Sequence, residues 1–160
     1  MGFRGLSDVR VVDFSTGIAG GYAGKLFVDA GADVIKVEPP GGDPLRRRSA
    51  TGADLGGDDG ALFCFLAAGK RSVAGVPGSP EVEALVATAD LVIESFAPRD
   101  FDAPALAERH PGLVVLSITP AGRRGPWADL PWCEITLQSA CGAIGHKGIP
   151  GPETCQAGAQ

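Results

Sequence analysis

The residues with the clearest chemical potential lie in a glycine-rich turn. Gly17, Gly20, Gly21 and Gly24 follow an apolar β-branched run, Val9 to Phe14, and open a helical pattern. Small residues there let a ligand approach the backbone, and a helix N-terminus attracts anions. The pattern is a partial match to the G-x-G-x-x-G dinucleotide fingerprint. Glu38 closes the next strand-like run, where an acid that binds a ribose hydroxyl would sit. One reading is therefore an NAD(P)-binding module of an oxidoreductase. The other is a tight strand-to-helix turn whose glycines serve close packing. The cations Arg46, Arg47, Arg48, Lys70 and Arg71 could hold phosphates, or be solvated. Cys64, Cys133, Cys141 and Cys155 form no C-x-x-C pair, and His110 and His146 lie at no ligand spacing from them. That argues for no metal site and for buried, reduced thiols in a cytoplasmic protein.

These groups need elements to hold them. The chain has 160 residues, 24 of them Gly and 13 Pro, with 44% hydrophobic residues. It can bury a core and it turns often. A net charge of -5 argues against a nucleic-acid partner. No apolar run is long enough to span a membrane. Strands are expected at Val9–Phe14, Asp33–Glu38, Lys70–Val73, Leu91–Ser95 and Leu113–Ile118. Helices are expected from Gly17 to about Asp29, over Gly60–Ala68, from Ser79 to Ala89, over Pro104–Arg109 and over Glu134–Ala143. In the first, Tyr22, Leu26, Phe27 and Ala30 share one apolar face. Residues 39–59 show no periodicity and read as a functional loop. Residues 148–160 read as a tail without a core pattern. Alternating strands and helices give an α/β fold with a Rossmann-like, mostly parallel sheet and flanking helices. Ligands of such sheets bind at strand carboxyl ends. That points to the segments after Phe14, Glu38, Ser95 and Thr119.

A longer pattern adds to this. Leu6 to Ser15, Ala19 to Gly24 and Gly31 to Arg46 (GADVIKVEPPGGDPLR) resemble the start of the family III CoA-transferases, the CaiB/BaiF group. Gly69 to Ser72, Asp90 to Pro98, Ser117 to Thr119, Gly125-Pro126 and Gln138 to Gly142 follow in the family's order. The resemblance covers the whole chain. It implies an acyl-CoA:carboxylate CoA-transferase, with acyl-CoA and small carboxylic acids as partners and coenzyme A as the bound group. It also implies a homodimer of interlocked chains. Residues 1–160 would be the N-terminal part of the family's large domain, with its C-terminal part and the small domain absent.

By position, Ile18, Ala19, Pro39, Ser95, Phe96 and Ala97 match CoA-contacting positions of the formyl-CoA transferase branch, and Pro131 to Glu134 match another contact region. That branch has glutamine where Ile18 stands and arginine where Pro39 stands, so a more apolar acyl pocket is expected here. CoA also needs cations for its phosphates, for which Arg46, Lys70 and Arg71 are candidates, and a flat apolar surface for adenine, for which Phe96 is one. The family's nucleophile is an aspartate that forms an acyl anhydride and then a thioester. The alignment puts it just after Gln160, so no catalytic residue is assigned within the chain, and the chain alone is expected to be inactive; a non-catalytic CoA-binding fragment is the other alternative to the transferase reading. Cys133 stands where the racemase branch has its histidine, which argues against racemisation.

Overall fold

The computed structural model describes residues 5–142 and residue 144. Residues 5–119 belong to one compact unit, and the described residues from Pro120 onward to a second. The first holds strands β1 (Arg10–Asp13), β2 (Asp33–Glu38), β3 (Arg71–Ala74), β4 (Leu91–Glu94) and β5 (Val114–Ser117). Its helices are α1 (Gly17–Asp29), α2 (Ala61–Ala67), α3 (Pro80–Val86) and α4 (Ala103–Arg109). The second unit contains α5 (Glu134–Ala140).

The five strands form one sheet in the order β3-β2-β1-β4-β5, with every pairing parallel. Successive connections run outward from β1 in both directions, so the sheet is doubly wound and its switch point lies between β1 and β4. Strand side chains alternate between two apolar layers. Val12, Phe14, Val37 and Val92 pack against Val82 and Val86 of α3 and Leu106 of α4. Val11, Val34, Leu91 and Ile93 pack against Ala23, Phe27 and Val28 of α1 on the other face. A smaller cluster joins Leu45 to Phe63 and Leu66 of α2. The α/β expectation holds, and the strand bounds move by one or two residues.

Four expectations need correction. First, of the expected α1 face of Tyr22, Leu26, Phe27 and Ala30, Phe27 packs on the core but Tyr22 and Leu26 are 50% and 54% exposed. The helix buries Gly20, Gly21 and Gly24. A Cβ on Gly20 would overlap Ser15, and one on Gly21 would sit 3.3 Å from Leu66. The inward stripe is glycine because the backbone itself comes close, which hydrophobic periodicity does not register. Second, α2, whose run Gly60–Ala68 is apolar on most sides and reads as a buried helix, buries only Phe63 and Leu66 and leaves Phe65 exposed. Third, the 39–59 loop is not without structure. Pro44–Arg47 forms a 3-10 turn capped by Asp43, whose carboxylate accepts the Leu45 N–H at 2.8 Å. Fourth, Cys64, Cys133 and Cys141 are free and exposed rather than buried. Cys155, His146 and the 148–160 tail lie outside the described residues.

Local signals act as their chemistry suggests. Gly31 turns α1 into β2 with φ +100°, a conformation that favours glycine. Asp102 caps α4 by accepting the Ala105 N–H at 3.0 Å. Ser79 is the exception: its Ser-Pro-Glu sequence predicts a capping serine, and it stands at the N-cap of α3 without a side-chain capping bond.

Candidate acyl-CoA site

Four strands deliver their carboxyl ends to one crevice. Phe14 and Thr16 follow β1, Val37 and Pro39 come from the end of β2, Gly75, Val76 and Pro77 follow β3, and Phe96 follows β4. They enclose about 150 Å3 with mainly apolar walls. The cavity lies beside the switch point, where an open α/β sheet presents a ligand site. Of the residues singled out from sequence, Pro39 and Phe96 line it. Ile18 and Ala19 are exposed in the first turn of α1, whose leading N–H groups have no intrahelical acceptor. Thr16, the residue before that turn, makes no side-chain cap. Ser95 and Ala97 flank Phe96 on the β4 side. One face of Phe96 stacks on Phe101, with centroids 5.2 Å apart. Gly75, Val76 and Pro77 were missed. The strand-end rule, applied to β3 as to β2, points to them.

The cations are arranged otherwise. The Lys70 side chain is 2% exposed and pairs with Asp13, itself fully buried, at 2.9 Å. Its ammonium also donates to the Gly21 carbonyl at 3.0 Å. Lys36, also buried, pairs with Asp43 at 2.8 Å and donates to the Ser15 carbonyl at 2.7 Å. These two pairs lie directly beneath the β1–α1 turn. Asp13 accepts the Ser15 N–H at 3.0 Å and the Ser15 hydroxyl at 2.5 Å. A Cβ on Gly24 would lie 2.5 Å from the Lys70 ammonium and 2.8 Å from Asp13. Gly24 is therefore the space into which a buried ion pair fits. A lysine inside the β2 run and an aspartate closing the β1 run were the available sequence signals.

Arg46 forks onto Glu38, with Nε to Oε2 at 2.6 Å and Nη2 to Oε1 at 2.7 Å. Its remaining nitrogen, Nη1, reaches Asp59 at 2.7 Å, and the guanidinium lies 4.1 Å from the Phe63 ring centre. Its carbonyl accepts the Gly60 N–H at 2.7 Å. Arg46 thus fastens both ends of the loop to β2. Glu38 also accepts the Ser72 hydroxyl and the Asp43 N–H. The Arg46 fork holds the Glu38 carboxyl down at about 2, against the opposing effect of burial, with Ser72 and Asp43 helping. Both carboxylate oxygens are engaged, so Glu38 is not presented to a ribose. With α1 glycines that pack inward, this removes the basis of the dinucleotide reading.

Arg71 pairs with Asp33 through two bonds, at 3.0 and 2.6 Å. Both residues begin their strands, so this pair sits toward the opposite edge of the sheet. Arg47 and Arg48 remain exposed on the loop. In the second unit Pro131 and Glu134 are exposed, and Glu134 accepts the Gln138 amide at 2.6 Å. Cys133 caps α5 there, and the Thr136 hydroxyl holds its thiol below the usual range, helped by backbone N–H groups.

The model of CoA-transferase family III matches residues 6–160. The chain belongs to CoA-transferase family III. This member of the family is 37% identical to the succinate–glutarate CoA-transferase of Agrobacterium fabrum, over 96% of the chain and 42% of that protein. It is 37% identical to the succinyl-CoA:(R)-benzylsuccinate CoA-transferase subunit BbsE of Thauera aromatica, over 94% of the chain and 39% of that protein. A crystal structure of a CaiB/BaiF family protein from Brucella suis superposes with a TM-score of 0.85 and 34% identity, over 96% of the chain and 43% of that structure. The chain thus spans about two fifths of the length of the curated relatives it matches. Family membership agrees with the CoA-transferase resemblance and not with an oxidoreductase. Among the described residues no helix is long and apolar enough to cross a membrane.

Proposed function

We propose that this family III chain supplies the CoA-binding part of an acyl-CoA:carboxylate CoA-transferase. One observation carries the reading: an apolar crevice of about 150 Å3 at the carboxyl ends of β1 to β4, beside the exposed first turn of α1. A flat adenine or an apolar thioester arm fits such walls, and unpaired N–H groups at a helix start suit an anion. Ile18, Ala19, Pro39, Phe96 and Ala97 are assigned to CoA at this edge. Pro131 and Glu134 are assigned from the family pattern alone. Lys70, Arg46 and Arg71, offered from sequence as phosphate cations, are each engaged by a carboxylate. Arg47 and Arg48 are the exposed alternatives.

In this reading the first unit belongs to the N-terminal part of a larger catalytic domain, and the nucleophilic aspartate lies outside the 160 residues. The intact protein would work as a homodimer in the cytoplasm, where exposed thiols such as Cys64 stay reduced. Succinate or succinyl-CoA appears in the names of both relatives, so succinyl-CoA is the first donor to assay.

The test is calorimetric titration of the natural full-length protein with CoA and, separately, with NADH. Saturable CoA binding without NADH binding supports the reading. NADH binding without CoA binding, or no binding of either, overturns it. A hydroxylamine-trapped acyl-enzyme from succinyl-CoA would establish the transfer step.

A further inference from the structure

Strands β1 and β4 run side by side as far as the pairing of Asp13 with Ile93. The last rung they share is the Phe14 N–H to the Ile93 carbonyl, at 2.8 Å. Beyond it the two chains part, β1 into α1 and β4 into the loop before α4. Ser95 spans the gap. Its Oγ accepts the Thr16 N–H at 2.9 Å and donates to the Thr16 carbonyl at 3.2 Å. A serine hydroxyl has a single proton, so its donor is spent on this contact. One side chain thus satisfies both main-chain groups of Thr16, as a continuing strand would have done.

The residues around this contact are held in a matched way. Asp13 accepts the N–H two residues on, at Ser15, at 3.0 Å, and Glu94 accepts the N–H two residues on, at Phe96, at 2.8 Å. Each strand end is therefore folded back on its own carboxylate, and Ser95 ties one folded end to the other. Thr16 and Phe96, on either side of the tie, are both walls of the crevice.

We propose that Ser95 is a positioning residue whose hydroxyl clasps the β1–α1 turn to the β4 turn and fixes the spacing of the Thr16 and Phe96 walls. In place of the direct CoA contact that the family pattern gives Ser95, it governs ligand affinity through these walls, its hydroxyl being engaged by Thr16. The affinity part rests on the reading of the crevice as a CoA site.

The test compares the full-length wild type with Ser95→Ala and Ser95→Thr by two readouts. Hydrogen exchange of the Thr16 amide in ligand-free protein reports the clasp. Calorimetry with CoA reports the consequence. Ser95→Ala should raise Thr16 exchange about tenfold while leaving Val12 and Val92 unchanged, and should weaken CoA binding about fivefold, the usual worth of one hydrogen bond. Ser95→Thr, which keeps the hydroxyl, should restore both. Unchanged Thr16 exchange in Ser95→Ala overturns the clasp. Weakened CoA binding with Thr16 protection intact overturns it too, since the hydroxyl would then act on the ligand directly. A wild type that binds no CoA overturns the functional reading and the affinity part with it, and the exchange data alone then decide the clasp.

Discussion

Replacing Lys70 by methionine keeps the volume of the side chain and removes its charge. The consequence follows from its surroundings. The Lys70 and Asp13 side chains are 2% and 0% exposed and 2.9 Å apart, so neither is solvated by bulk water. Without the ammonium, Asp13 keeps only neutral donors, from Ser15, and the Gly21 carbonyl loses the bond it accepts from Lys70 at 3.0 Å. Breaking a buried pair from one side costs about 3–5 kcal/mol. That is a large share of the ~5–15 kcal/mol that holds an ordinary domain together. With a urea slope of about 2 kcal/mol per M, the unfolding midpoint should fall by about 2 M. The assay is urea unfolding followed by far-UV circular dichroism, at pH 7 and fixed ionic strength. The double variant Asp13→Asn, Lys70→Met is the control, because Asn still accepts the Ser15 N–H and no unpaired charge is left buried at this site. It should recover most of the loss, to within about 1–2 kcal/mol of wild type. A loss under about 1 kcal/mol for Lys70→Met would be the behaviour of a solvated surface pair. That result would refute the reasoning, and so would a double variant as unstable as the sum of its parts.

Three further predictions concern other residues. Gly24→Ala should destabilise by about 1–3 kcal/mol, despite the better helix propensity of alanine, because its Cβ would press on the Lys70–Asp13 pair; Gly21→Ala, facing the movable Leu66 side chain at 3.3 Å, should cost less, and thermal melts compare the two. Glu38 titrates near 2 when folded and near 4.5 when free, so its contribution to stability is complete above about 4.5 and is lost as pH falls towards 2. Arg46→Met should flatten the acid limb of a stability–pH curve in that window. Thr136→Val should raise the Cys133 thiol and slow its alkylation by iodoacetamide at pH 7, read by mass spectrometry of the labelled peptide.

Most strands were legible as short β-branched runs bounded by turn residues, β3 with Val73 as its one β-branched residue being the weakest, and the alternation of strand and helix left little choice of fold class. Pro39 and Phe96 were legible as crevice-lining residues because the strand-end rule and the family pattern agree on them. The inner face of α1 was not. Periodicity weights apolar side chains, and the residues this helix buries most deeply, Gly20, Gly21 and Gly24, have none, although Ala23, Phe27 and Val28 pack beside them. The roles of Lys70 and Arg46 were hidden for a different reason. Lys70 finds its carboxylate 57 residues away. Arg46 divides its nitrogens between Glu38, upstream, and Asp59, downstream. Such partners follow from the register of β1, β2 and β3, which a single sequence does not print.

The glycine face of α1 bears on how fast a ligand is accepted. A helix seated on its own backbone, with Ser15 against Gly20 and an ion pair against Gly24, has little room to slide or tilt. Its first turn is already in place before any ligand arrives. Association at that turn should then proceed as a single exponential phase whose rate rises linearly with ligand concentration, with no slow rearrangement following the encounter.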